Sequence, residues 1–292
     1  MFRWMLRCAL VLALPQALVA QEAARRLQRF RPHGDTLVAI AFYQPATGRA
    51  AWLGADVRVH AASTMKVPVL IELARRIDSG ELAWDSTLRV ENSFISIADG
   101  QPFALDPADD SDSSLYAMVG TEVKLQELAR LMTVRSSNLA TNNIVQLLGA
   151  DRITATAHAL GADSVLVLRG VEDIPAFRRG MNNTLTARAL VQLFSALLSG
   201  RAASANSTQR ILGFLAGQEF NGGIPSGLPA GTLMAHKTGS QTAVHHDAGI
   251  VYPARMPPYI LVVLTRGYGS EQDAEAVMGR IATEAHAFAT HR

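Results

Sequence analysis

The chain has 292 residues, 49% of them hydrophobic and 18% charged, and its 27 basic side chains nearly balance 25 acidic ones. That length can bury a large core, as one domain or as two interlocked lobes. Near-neutral charge without a basic block argues against nucleic acid or an anionic membrane surface as partner, and the only cysteine, Cys8, leaves no disulfide framework and no thiol chemistry beyond it.

Residues 1–20 read as a secretory signal. Arg3 and Arg7 precede an apolar run from Cys8 to Val19 that is short for a bilayer span, and Ala20 puts a small residue before the polar Gln21-Glu22. Cleavage there predicts a periplasmic or secreted protein with 25 basic and 25 acidic residues and no stable membrane anchor. Residues 22–31 read as a charged helix. Thr36 to Tyr43 and Ala50 to Leu53 read as a β-hairpin turning over Pro45 to Gly48.

After Ser63, the apolar residues Val67, Leu70, Ile71 and Ala74 recur at helical spacing up to Ser79-Gly80. Residues 92–115 are polar, with Asp99, Asp106, Asp109, Asp110 and Asp112 and two prolines. Without the central glycine and terminal glutamate of an EF-hand, this stretch reads as a solvated loop. Helices are predicted over Lys124–Thr133, Asn138–Leu148, Ile153–Leu160 and Leu185–Leu198, with Gly170–Met181 irregular between the last two. Met234–Lys237, Ala248–Tyr252 and Ile260–Thr265 read as strands, and Glu271–Ala289 as a closing helix. Strands at both ends with helices between predict an α/β protein of the α+β kind. Its antiparallel sheet would be built from both termini (residues 21–62 and 200–292), with an all-helical lobe inserted over roughly 63–199.

The chemistry rests on scarce lysines. There are three, Lys66, Lys124 and Lys237, in a chain that otherwise uses arginine for positive charge. A buried lysine can lose its proton and act as a base, which arginine cannot. Ser63 and Lys66 are three apart, so in a helix they share a face, and a hydroxyl in the first turn sits near the positive end of the helix dipole. An amine of lowered pKa beside a hydroxyl meets the need of an activated serine nucleophile. Alone, this spacing fits a helix cap followed by a solvated lysine equally well. Ser136-Ser137-Asn138 precedes an apolar helix and doubles as an N-cap. Lys237-Thr238-Gly239-Ser240 follows a strand; its amine and hydroxyls suit a carboxylate, and its glycine a close backbone approach, but a strand–turn junction also explains it. The order and separation of the three together are harder to obtain by chance.

With these elements in place the chain resembles the penicillin-recognising serine hydrolases, class A β-lactamases most closely, whose motif set is S-x-x-K, S-D-N and K-T-G. The resemblance spans nearly the whole mature chain. It implies Ser63 as the acylated nucleophile, Lys66 sharing the base role, and Ser136 relaying a proton to the leaving nitrogen. It further implies that Asn138 holds the substrate's side-chain amide, that Lys237 and Thr238 bind its carboxylate, and that Ser63 and Ser240 supply oxyanion N–H groups. Tyr116 would be the aromatic residue flanking the site, and Glu172 the Ω-loop carboxylate that activates the deacylating water.

Three departures stand out. The middle motif is Ser-Ser-Asn. No arginine follows Lys237 at the expected distance, where His245-His246-Asp247 stands instead; alternation along a strand separates those side chains and speaks against a metal. Position 176, where the family places an asparagine partner for the glutamate, is Ala176, and a loop carboxylate paired with Arg178 or Arg179 is the other reading of Glu172. The resemblance implies a monomeric serine hydrolase without cofactor or metal, acting on a β-lactam or a D-alanyl-D-alanine-like peptide, with peptidase or esterase action as the alternative.

Overall fold

The computed structural model describes residues 25–31 and 34–290, so the signal-like segment and part of the first predicted helix lie outside the described residues. Within 22–31 it contains a helical turn followed by a 3₁₀ turn, Gln28–Phe30. The hairpin follows as β1 (Leu37–Gln44) and β2 (Arg49–Leu53). A short β3 (Val59–His60) leads into a 3₁₀ turn, Ala62–Met65, and helix α1 (Lys66–Asp78). The polar region carries β4 (Thr87–Arg89), the small hairpin β5 (Phe94–Ile95) and β6 (Pro102–Phe103), a 3₁₀ turn over Ser114–Met118, and β7 (Glu122–Lys124). Helices α2 (Leu125–Val134), α3 (Asn138–Leu148), α4 (Ala150–Ala159) and the short α5 (Ile174–Arg178) come next. After β8 (Thr184–Leu185) come α6 (Ala187–Leu198) and α7 (Ala205–Ala216). The chain closes with β9 (Leu233–Gln241), β10 (Val244–Tyr252), β11 (Tyr259–Arg266) and α8 (Glu271–Thr290).

The main sheet is antiparallel with strand order β2-β1-β11-β10-β9, so β1 from the start of the chain pairs with β11 from its end. Period-two alternation sorts its side chains between two apolar clusters. Val38, Ile40, Phe42, Leu261 and Val263 face α8, whose Val277, Met278, Ile281, Ala285 and Phe288 recur at helical spacing. Ala39, Ala41, Ile260, Val262 and Leu264 face the other helices, with α6 packed on β1, β10 and β11. Burying each large aliphatic side chain contributes about 1.5–3 kcal/mol.

Two strands, β9 and β10, are longer than the predicted Met234–Lys237 and Ala248–Tyr252. β9 runs through Thr238-Gly239-Ser240, because those residues keep pairing with β10 as far as Gln241 opposite Val244. The motif therefore lies inside an edge strand rather than at its end. The turn is only Thr242-Ala243, with Ala243 at φ 56°. Helix α7 was not foreseen, although Ser204 caps the Ser207 N–H and Ile211 and Leu215 form its buried face. Ser96 and Asp173 were also unforeseen as partners: Ser96 Oγ donates to Asp173 (2.7 Å), which caps α5 through the Ala176 N–H (3.0 Å).

Candidate active site

Ser63 stands in the 3₁₀ turn Ala62–Met65, and the α-helix begins only at Lys66. Ala62 just before it sits at φ 44°, a left-handed conformation that a residue with a Cβ rarely adopts. The turn is braced from behind: the Ala62 N–H donates to His60 Nδ1 (3.0 Å), and His246 Nε2 is hydrogen-bonded to the His60 carbonyl (2.9 Å). Burial holds both imidazoles down to about 4, so both are neutral near pH 7. Gly239 of β9 comes so close that a Cβ there would lie 3.0 Å from the Ser63 nitrogen. Because β9 is the sheet's edge, one row of its backbone groups faces away from β10 towards this turn.

The amines converge on Ser136. Lys66 Nζ donates to the Ser136 carbonyl (2.5 Å), the Ser136 hydroxyl (3.1 Å) and Asn138 Oδ1 (2.9 Å). Lys237 Nζ reaches the same hydroxyl from the other side at 3.1 Å, and the Thr238 carbonyl at 3.0 Å. Lys66 and Lys237 are 1% and 0% exposed. Burial brings Lys66 down to about 7 against the opposing pull of Asp110 and Glu172. It depresses Lys237 strongly as well, with the charge of Lys66 adding to the effect. Direct contact between the Ser63 and Lys66 side chains was expected from their spacing, but it is not what the structure records. A desolvated amine takes the strongest acceptors within reach, here a carbonyl and an amide oxygen, and the Ser63 hydroxyl makes no hydrogen bond among the described residues. Ser136 itself is at φ 59°.

Glu172 is also left-handed, at φ 61°. Its carboxylate accepts from Asn138 Nδ2 at 2.5 Å rather than pairing with Arg178 or Arg179. Burial raises its pKa, opposed by that hydrogen bond. The segment carrying it is pinned by Asn142, which accepts the Val171 N–H (2.6 Å) and donates to the Val171 carbonyl (3.0 Å). Gly170 is required there, since a Cβ would lie 2.2 Å from Asn142 Oδ1.

Ser63, Ser136, Asn138, Thr238 and Ser240 line one cleft of about 630 Å³. Asp109, Asp110, Ser111, His245 and Asp247 share its walls, as do Glu219, Glu271 and Glu275. Tyr116 is placed differently from the expectation: it stands one step back, half-buried, and donates its hydroxyl to Asp110 (3.0 Å). His245 Nδ1 is bonded to Ser240 Oγ (3.0 Å) across the β9–β10 ladder. On the floor, His236 Nδ1 meets Asp247 at 2.8 Å, both fully buried. Asp110, Ser111, His60 and Asn142 were missed in the sequence, where no spacing or periodicity ties them to the three motifs.

The family whose sequence model matches residues 21–289 is described as the beta-lactamase enzyme family. The chain is 24% identical over 252 residues to a beta-lactamase of Streptomyces fradiae, which covers 85% of this chain and 79% of that protein. Among solved structures it resembles an acyl-enzyme complex of a PBP-A variant with penicillin G, with TM-score 0.76, 22% identity, and 93% and 96% of the two chains covered. It also resembles a beta-lactamase from Sphaerobacter thermophilus, with TM-score 0.75, 24% identity, and 92% and 95% covered.

Proposed function

The chain belongs to the beta-lactamase enzyme family, and from that premise we propose that it is an exported serine hydrolase that opens the amide of a β-lactam through an acyl-enzyme on Ser63. The observation that carries the reading is the pair of fully buried amines, Lys66 and Lys237, sharing the Ser136 hydroxyl in a cleft that opens on Ser63.

Lys66, with its pKa brought down to about 7, is about half uncharged at pH 7; it accepts the Ser63 proton once Nζ turns from the Ser136 carbonyl and Asn138 Oδ1, or through a bridging water. The freed oxygen attacks the lactam carbonyl, whose electrons move onto its oxygen. The N–H groups of Ser63 and Ser240 hold that oxyanion, each such donor contributing on the order of 10²–10³ in rate. Collapse breaks the C–N bond, and the proton passes from Lys66 through Ser136 to the nitrogen. Lys237 and Thr238 hold the substrate's carboxylate and Asn138 its side-chain amide. Water then gives a proton to Glu172 and attacks the ester carbonyl; the C–O bond to Ser63 breaks, and the proton returns from Glu172 to the Ser63 oxygen. The scheme uses no metal and no organic cofactor.

Position 176 favours a second reading. Ala176 offers Glu172 no side-chain amide, and its own N–H is taken by Asp173. With deacylation weakened, the protein would act as a penicillin-binding peptidase on D-alanyl-D-alanine ends. Purified protein lacking residues 1–20 should hydrolyse a chromogenic cephalosporin, and Ser63→Ala should not. A long-lived penicilloyl adduct on Ser63 without turnover selects the peptidase. Absence of both turnover and adduct removes the serine-hydrolase reading.

A further inference from the structure

The acidic stretch before Tyr116 reads as a solvated loop in the sequence, yet two of its residues are bonded to the turn that carries Ser136 and Asn138. Both oxygens of Asp110 accept the Asn138 N–H (2.9 Å each), and Oδ2 also accepts the Leu139 N–H (2.9 Å). Ser111 Oγ donates to the carbonyls of Arg135 (2.8 Å) and Ser136 (3.2 Å). The first N–H groups of a helix have no partner within it, and α3 carries no acidic residue in its first turn. Its own cap, Ser137, takes only the Ala140 N–H (3.2 Å). The carboxylate from outside the helix meets those amides and the positive end of the helix dipole together. On the other flank Ser136 is left-handed, a conformation that persists only when neighbours over-determine it. Its carbonyl is held by Ser111 from one side and by Lys66 from the other.

Resting on the reading of Ser63, Lys66 and Ser136 as the reaction centre, we propose that Asp110 is a positioning residue. With Ser111 it fastens the Ser136–Asn138 turn against the head of α1, and Tyr116 fixes the orientation of its carboxylate. Asp110 acts on the amine in two ways: it sets the acceptors that Lys66 bonds, and its charge favours the ammonium. The groups facing Lys66 are Asp110, Glu172 and, across Ser136, Lys237. Removing the Asp110 charge therefore lowers the Lys66 pKa further below about 7.

The test compares wild type with Asp110→Asn by three measurements: the rate of Ser63 acylation by penicillin G as a function of pH, the ¹³Cε titration of Lys66, and amide exchange at Asn138 and Leu139. With only three lysines in the chain, the titration is readily assigned. The expected result is acylation slower by roughly 10–100-fold with noncovalent affinity little changed, the Lys66 titration and the acylation pH profile both moved to lower pH, and faster exchange at both amides. Normal acylation with an unmoved pH profile overturns the proposal while leaving the serine-hydrolase reading intact. Faster exchange alone, with Lys66 unmoved, makes Asp110 a plain helix cap and overturns it too. If wild type forms no adduct on Ser63, that reading falls separately, and the Lys66 titration and amide exchange still decide for or against Asp110. Should Asp110→Asn fail to fold, Tyr116→Phe takes its place. Slower acylation with a displaced Lys66 titration upholds the proposal, and wild-type values for both overturn it.

Discussion

One sheet buries two opposite kinds of side chain. On the face under α8, Ile40, Phe42, Leu261 and Val263 are at most 1% exposed and pack within an apolar cluster, so their burial contributes directly to stability. At the edge beside β9, Lys66 and Lys237 are just as inaccessible, and for an amine the same burial is a cost that lowers its affinity for a proton. Backbone conformation follows the same division. Among the described residues the non-glycine positions with positive φ are Ala62, Ser136, Glu172 and Ala243; Ser136 lines the cleft, Ala62 directly precedes Ser63, Glu172 is bonded to Asn138 of its wall, and Ala243 sits in the tight hairpin. The apolar face supplies the stability that lets the cleft hold strained turns and reluctant amines, a division common where activity needs a destabilised site.

That contrast can be broken most sharply at Ser63. Ser63→Ala should cost at least about 10⁴-fold in turnover of a chromogenic cephalosporin while leaving the thermal midpoint unchanged or higher. A large drop in that midpoint would mean that the residue belongs to the stabilising side. Glu172→Gln should slow release of the acyl group by roughly 10²–10⁴-fold with acylation largely kept, read as adduct persistence by mass spectrometry. On the opposite face, Ile40→Ala should cost about 2–5 kcal/mol by denaturant titration, with kcat per folded molecule unchanged.

The last predictions concern pH. Acylation should rise as pH climbs towards about 7, where Lys66 loses its proton, and level off above it. The stability consequence has its own sign. The unfolded chain keeps the Lys66 proton up to 10.5 and the folded chain does not, so this residue makes the protein more stable as pH rises from about 7 towards 10.5. His246 works in the same direction lower down: its folded value of about 4 lies below the ordinary 6.5, so stability is lost as pH falls through that window. Thermal melts across pH 4–10 would check both windows.

How legible each side was follows from its physics. The apolar face was readable because β1 and β11 are short continuous apolar runs and the apolar residues of α8 recur at helical spacing, both of them local signals. The lysine-bearing motifs stood out through scarcity, and the fold brings Ser63, Lys66, Ser136, Asn138 and Lys237 together. What joins them was not readable. Asp110 reaches α3 from 28 residues away, His60 braces the turn before Ser63 by accepting the Ala62 N–H at one ring nitrogen, and Asn142 grips Val171 across 29 residues. Such contacts depend on loop paths, for which a sequence has no period. The placement of Tyr116 differs for that reason: Asp110 and Ser111 of the acidic segment take the cleft wall, and Tyr116 bonds Asp110 through its hydroxyl. The Ser63–Lys66 contact failed differently, because helical spacing reports proximity of backbones and not which acceptor a buried amine selects.

The most direct measurement is a time-resolved mass spectrum of wild type and Glu172→Ala mixed with penicillin G. A penicilloyl mass should appear on Ser63 in both, decaying within the assay in wild type and persisting in the variant. If no mass ever attaches to Ser63 in a folded protein, the buried amines serve some other chemistry and the account is wrong.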